Sequence, residues 1–274
     1  MNGNYRTAAR LVLGAAMAVN LSALPLASQA AMYSFTDLNP AGFPYSLGYG
    51  ISGGHQVGYG YKFGDAGYHA LLWSGTASRV VDLNPNGFSY SEAYGISGSQ
   101  QVGAGYAAGF EGYHALLWSG TAGSAMDLHP AGFGDSRAVA TSGSQQVGSG
   151  YDPESGTHAL LWSGTASSVV DLNPNGFSYS EAYGISGSHQ VGYGYAPGTG
   201  SDNHALLWSG TASSAVDLHP SGFTWSYAAG VSGGQQVGYG DGHALLWSGT
   251  ASSAVDLQSF LSSDYSGSAA LAVC

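Results

Sequence analysis

The sequence predicts an all-β protein, a β-propeller built of four-stranded blades. Three observations carry this expectation. The nine residues HALLWSGTA begin at His69 and recur from His114, His158, His204 and His243. The copies stand 39 to 46 residues apart, and a self-similar period of that length marks a propeller, a solenoid or an array. Of 274 residues, 45 are glycine, 44% are hydrophobic and only 8% are charged, which suits many short strands joined by glycine turns.

The chain opens like an export signal. Arg6 and Arg10 precede an apolar stretch, Leu11 to Ala27, and Ser28-Gln29-Ala30 offers the small residues of a cleavage site. We therefore expect residues 1–30 to be removed and 31–274 to form one repeat domain. SFTDL (Ser34 to Leu38) follows and reads as an outer-type strand. Complete blades then span about 45–83, 90–128, 135–172, 179–218 and 225–257.

The second copy shows the four strands of a blade: EAYGIS (Glu92 to Ser97), QQVGAGY (Gln100 to Tyr106), HALLW (His114 to Trp118) and SAMDL (Ser124 to Leu128). Turn residues separate them. In the shortest copy only Asp241-Gly242 divides QVGYG from HALLW, the signature of a tight antiparallel hairpin. LNPNGFSYS (Leu83 to Ser91) reads as the crossover to the next blade. The small residues Ala93, Gly95, Ala138, Ala140, Ala228 and Gly230 suit an inner strand at a crowded axis. YSGSAALAV (Tyr265 to Val273) is a last inner-type strand. With Ser34 to Leu38 it would form an incomplete closing blade, as in a six-bladed propeller cut short. A five-bladed ring with a loose tail and a stacked β-solenoid are the alternatives.

DLNPNGFSYSEAYGISGS occurs unchanged at Asp82 and at Asp171, and the crossovers alternate between LNP and LHP. This points to duplication of a two-blade unit. A ring of near-equal blades suits a scaffold better than a single asymmetric catalytic centre.

HALLW, a glycine turn, a D-L strand, S-x-A-x-x-I-S and a QVGYG strand together resemble the extracellular HAF (His-Ala-Phe) repeat family of exported bacterial proteins. The resemblance covers about 32–273. Leu71, Leu116, Leu160, Leu206 and Leu245 stand where the family name has Phe. It implies export, and it implies no settled biochemical activity.

Net charge is −11, and removal of the signal would leave Lys62, Arg79 and Arg137 as the basic residues. Such a surface repels nucleic acid. No stretch after the signal is long and apolar enough to span a bilayer. The single cysteine, Cys274, excludes a disulfide framework and a cysteine zinc site. No nucleophile elbow, H-E-x-x-H or phosphate loop is present.

His69, His114, His158, His204 and His243 each precede an aspartate by 13 residues: Asp82, Asp127, Asp171, Asp217 and Asp256. We expect a repeated structural contact, since one histidine per blade cannot converge on one metal. Trp73, Trp118, Trp162, Trp208 and Trp247 are expected to pack between blades. Loops on a rigid scaffold are where binding resides. The candidate ligand-binding residues are therefore on the crossover face: Tyr90, Tyr179, Glu92, Glu181, His129, His219 and Trp225, the last being suited to stacking on a sugar. Acids of the variable loops (Asp65, Glu111, Asp152, Glu154, Asp202, Asp241) offer oxygen ligands for Ca²⁺, but no D-x-D-x-D-G run is present, and no cofactor is expected. The expected function is a secreted or cell-surface scaffold binding an extracellular polysaccharide or protein. A matrix protein without a discrete ligand is the alternative, and a glycosidase or lyase is less expected.

Overall fold

The computed structural model describes residues 34–273 apart from 66 and 196–201. The export-like segment 1–30 and Cys274 lie outside the described residues. Five four-stranded antiparallel sheets succeed one another along the chain. The first holds β1 (Tyr45–Ser52), β2 (His55–Tyr61), β3 (Tyr68–Trp73) and β4 (Val80–Asp82). The second holds β5 (Phe88–Ser97), β6 (Gln100–Ala107), β7 (His114–Trp118) and β8 (Met126–Asp127). The third holds β9 (Asp135–Thr141), β10 (Gln146–Asp152), β11 (Gly156–Trp162) and β12 (Val170–Asp171). The fourth holds β13 (Ser180–Ser186), β14 (His189–Tyr195), β15 (Asn203–Trp208) and β16 (Val216–Asp217). The fifth holds β17 (Tyr227–Ser232), β18 (Gln235–Gly240), β19 (His243–Trp247) and β20 (Val255–Asp256). Every sheet is a meander, with each strand bonded to the next in sequence. Among the described residues no helix is long and apolar enough to cross a membrane.

The hairpins follow their turn residues. Asp241 (φ 47°) and Gly242 (φ 83°) both take the left-handed conformation between β18 and β19, as a type I′ turn demands. The inner strand of each sheet carries an irregularity, such as that between Ala93 and Gly95. Gly103 faces it: a Cβ there would lie 1.9 Å from the Glu92 carbonyl oxygen. Only glycine lets the backbones approach so closely.

Two strand boundaries differ from the sequence reading. The inner strand of the second sheet starts at Phe88 rather than Glu92, because β6 runs on to Ala107 and supplies partners up to that point. The outer strand shrinks to Met126–Asp127. Ser124 is spent in a 3₁₀ turn, where its hydroxyl accepts the Ser119 N–H at 2.8 Å.

The core lies between neighbouring sheets. Val102, Ala115, Leu117 and Leu128 of the second sheet pack against Ala138, Leu160 and Trp162 of the third. Each large apolar side chain buried there contributes about 1.5–3 kcal/mol. The same interface carries a polar contact. The N–H groups of Ala70, Ala115, Ala159 and Ala205 donate at 3.0 Å to the hydroxyls of Ser91, Ser136, Ser180 and Ser226 in the following sheet.

Neither terminal segment is a strand. Residues 265–273 nevertheless lie on the fifth sheet. Ser268 N–H donates to Gly242 O (2.8 Å) and Ala270 N–H to Gly238 O (3.1 Å). The Ala244 N–H donates to the Ser268 hydroxyl at 2.9 Å, so Ser268 stands where Ser91, Ser136, Ser180 and Ser226 stand in their interfaces. Residues 34–38 show no such pairing, and Phe35 is almost fully exposed.

Candidate functional site

Positions that repeat in all five sheets do the same thing in all five. Each repeat histidine places Nδ1 2.7–2.8 Å from an oxygen of its aspartate, in the pairs His69–Asp82, His114–Asp127, His158–Asp171, His204–Asp217 and His243–Asp256. A carboxylate only accepts, so Nδ1–H is the donor. The second carboxylate oxygen accepts the N–H two residues on, at Asn84, His129, Asn173, His219 and Gln258. Each aspartate thus ties a strand start to a crossover. Trp73, Trp118, Trp162, Trp208 and Trp247 are fully buried. All five indole N–H groups are buried without a protein acceptor, a feature of the repeat rather than of any one place in it. Among the described residues, no three His, Cys, Asp or Glu side chains gather as a metal would require.

Two repeated residues were not singled out from the sequence. One is the interface serine. The other is the glutamine that opens QVG: Gln56, Gln101, Gln146, Gln190 and Gln236. Their side-chain oxygens accept the N–H of Gly75, Gly120, Gly164, Gly210 and Gly249. Both were legible as polar residues kept in every copy of the repeat, since a buried polar side chain persists only where it is hydrogen-bonded.

His129 and His219 are held inside their own crossovers. Nδ1 of His129 lies 2.8 Å from the Ser136 hydroxyl and Nε2 lies 2.9 Å from Phe133 O. His219 does the same with Ser226 and Phe223. The carbonyl fixes Nε2–H as donor, so Nδ1 accepts from the serine. Asn84 makes both bonds in the second sheet's entry, donating to Phe88 O and accepting from Ser91. The alternation of LNP and LHP is therefore a structural replacement, and neither ring keeps a free nitrogen for a ligand. His129 and His219 stack on His114 (3.9 Å) and His204 (4.0 Å). Burial first, then the neighbouring histidine, lowers the pKa of each.

The tyrosines and glutamates named from the sequence do meet. Tyr90 and Tyr94 hydroxyls donate to the two oxygens of Glu92 at 2.5 and 2.6 Å. Tyr179 donates to Glu181 at 2.6 Å and Tyr183 donates to its other oxygen. Tyr193 lies beside both, its hydroxyl 3.3 Å from that of Tyr179. Burial raises the pKa of Tyr90, Tyr94, Tyr179 and Tyr183, and the bonds to glutamate raise it further. Tyr193 is pushed up to about 12, chiefly by burial. All five stay protonated donors at neutral pH and fix their carboxylates.

The inner strands break the repeat at one register. Equivalent positions hold Leu47, Glu92, Arg137, Glu181 and Tyr227. The third sheet, with Arg137, stands between the two glutamate sheets. Arg137 pairs with Asp135 at 3.4 Å and lies over the Tyr113 ring, 4.9 Å from its centroid.

Trp225 lies at the fifth crossover, half-buried, against Tyr227 and Tyr239. Asp241 fixes it there: its two oxygens accept the N–H groups of Thr224 (2.8 Å) and Trp225 (3.2 Å). Asp241 therefore positions the crossover. Trp225, Tyr227 and Tyr239 with Asp202 and Asn203 line a cavity of about 370 Å³. The Asn203 amide nitrogen donates to the Tyr227 hydroxyl. Among the described residues its Oδ1 is buried without a partner. Sequence reasoning named Trp225 and Asp202. It missed Asn203, Tyr227 and Tyr239, which only folding brings to them.

No protein-family model matches the chain, and no curated protein sequence matches it. Among solved structures, the fold is similar to that of TolB from Acinetobacter baumannii, with a TM-score of 0.50 and 14% sequence identity. The match covers 77% of this chain and 53% of TolB, so the chain spans about half the length of that protein. TolB is β-propeller-like, and the five four-stranded sheets described above make this chain an all-β protein of the same propeller-like kind.

Proposed function

We propose that this protein is a secreted bacterial binding scaffold that holds an extracellular polysaccharide on its crossover face. We read it as a repeat protein of the HAF kind, with five complete blades and a sixth begun by residues 265–273. The last point is supported by Ser268, which repeats the interface contact made by the serine of each following sheet.

The Trp225 cavity carries the functional reading. Its volume of about 370 Å³ sits at the small end of ligand sites, roughly 300–1,000 Å³, which suits one or two sugar rings. A pyranose presents a flat C–H face to an aromatic ring and hydroxyl donors at its rim. The Asp202 carboxylate beside the rings is an acceptor for such hydroxyls. With a carboxylate on the rim and a net charge of −11, the site favours neutral glycans over anionic ones. Binding fits better than hydrolysis: both oxygens of Glu92 and of Glu181 are already occupied by tyrosine hydroxyls.

Thermal unfolding against neutral and anionic polysaccharides, with and without Ca²⁺, tests this. A ligand that binds only the folded state raises the melting temperature. We expect a neutral glycan to do so without Ca²⁺, and Trp225→Ala to weaken it at least about tenfold, equal to about 1.4 kcal/mol. A sharp melt unshifted by every glycan would overturn the polysaccharide reading and favour a protein partner.

A further inference from the structure

We propose that the Trp225 cavity takes a sugar that carries a protonated amine, a hexosamine without its N-acetyl group, and holds the ammonium between its rings and Asp202. This deepens the glycan reading and rests on it.

At this cavity the repeat's own carboxylate clamp has been taken apart. In the second and fourth sheets the inner strand reads Tyr-x-Glu-x-Tyr, and both oxygens of Glu92 and of Glu181 accept tyrosine hydroxyls. The fifth sheet has Trp225, Tyr227 and Ala229 at these three positions. The acid has become a ring, and one tyrosine has become a methyl group. A carboxylate returns from the neighbouring sheet. Asp202 stands two residues before the repeat histidine His204, where the first three copies have Gly67, Gly112 and Gly156. A Cβ on Gly67 or Gly112 would lie 2.2 Å from a carbonyl oxygen of the following crossover, at Ser89 or Gly134. Those copies have no room for a side chain. The fourth copy instead sets a charged one on the cavity wall.

The rings are arranged for a compact group. Trp225 meets Tyr227 at 69° and Tyr239 at 81°, with centroids 5.4 and 5.9 Å apart. The two tyrosines are within 20° of parallel. The result is a corner of two aromatic walls. A flat pyranose face covers one wall, whereas a tetrahedral ammonium touches both. The negative faces of aromatic rings attract such a cation, most strongly where water is displaced.

The surroundings have the matching sign. Residues 138–274 hold nine Asp and Glu and no Lys or Arg. Glu181, Tyr193, Tyr195 and Asp241 are the other titratable groups about the three rings, and each is neutral or anionic at neutral pH. His204 is turned to Asp217. The ligand supplies the cation that this half of the chain lacks.

The test titrates a glucosamine tetramer and an N-acetylglucosamine tetramer into the whole protein and reads affinity by calorimetry. At about pH 6 the glucosamine tetramer should bind about fivefold more tightly. Amines beside an electron-withdrawing carbon titrate near about 8, so the advantage should vanish by about pH 9. Asp202→Asn should bring the ratio of the two affinities to about one, because the amide keeps an acceptor and drops the charge. Asp202→Glu should keep the preference. Binding of both tetramers without preference, or a preference that Asp202→Asn leaves intact, would overturn the amine assignment and leave the glycan reading standing. Binding of neither tetramer would overturn both.

Discussion

Trp162 and Trp225 show how differently one residue type is used in the two layers of this molecule. Trp162 is fully buried between the second and third sheets and has four equivalents doing the same work. Trp225 is half-buried, occurs once in the repeat and borders a cavity. The same division runs through the polar residues. Five His–Asp pairs share one contact at 2.7–2.8 Å, while the inner-strand register reads Leu47, Glu92, Arg137, Glu181, Tyr227. In a repeat protein, symmetry marks what the fold needs, because every interface poses the same packing problem. Departures from symmetry mark positions that the shared packing problem does not dictate.

Substitutions sharpen that contrast. Trp162→Ala opens a large core cavity and should cost about 3–5 kcal/mol, read as a lower urea midpoint. Trp225→Ala should cost about 1 kcal/mol or less while removing glycan binding. If the two destabilise equally, the division between layers fails.

Ser180 is the next measure of interface strength. It is fully buried, accepts the Ala159 N–H at 3.0 Å and donates to Asn173 at 2.7 Å. Ser180→Ala leaves a buried donor and a half-buried acceptor unpaired and should cost about 1–3 kcal/mol. Ser46→Ala, on the outer face of the first sheet, which no described residue covers, should be close to neutral in the isolated protein. Equal losses at the two positions would mean that the first face is covered after all.

The smallest expected effect concerns pH. The folded-state pKa of His129 and His219 lies below the ordinary 6.5. Between that lowered value and 6.5 the unfolded chain binds more protons than the folded one. Stability from these groups is therefore present above about 6.5 and is lost as pH falls through the folded value. Asn stands at the same place in the alternate crossovers, so His129→Asn with His219→Asn should fold and should flatten this part of the melting profile. A profile unchanged by the double substitution would assign the acid sensitivity elsewhere.

The repeat period, the four-strand meander, the tight turn at Asp241-Gly242 and the pairing of each histidine with the aspartate 13 residues on were legible in the chain. All are local or nearly so, and five copies reinforce each signal. Tyr90 with Glu92 and Tyr179 with Glu181 were legible for the same reason, being two residues apart on one strand. His129 and His219 were read as ligand groups because a histidine in a loop looks available. Their partners Ser136 and Ser226 seven residues on, together with a backbone carbonyl, show otherwise.

Trp225 illustrates the remaining boundary. Its oddity within the repeat is visible in one dimension. Its cavity is not, because Asp202 and Asn203 come from the fourth sheet, Tyr239 from a different strand of the fifth, and their approach depends on how sheets stack. That no described residue covers the first sheet's outer face is also a tertiary fact. Ser46 and Ile51 look like their counterparts in the chain, and only the neighbour present or absent across the interface separates a buried serine acceptor from an open one. Short-range patterning fixed the blade, since turn geometry and alternating burial act over a few residues. Contacts between blades fixed the site and the open face, since they join residues that the chain holds far apart.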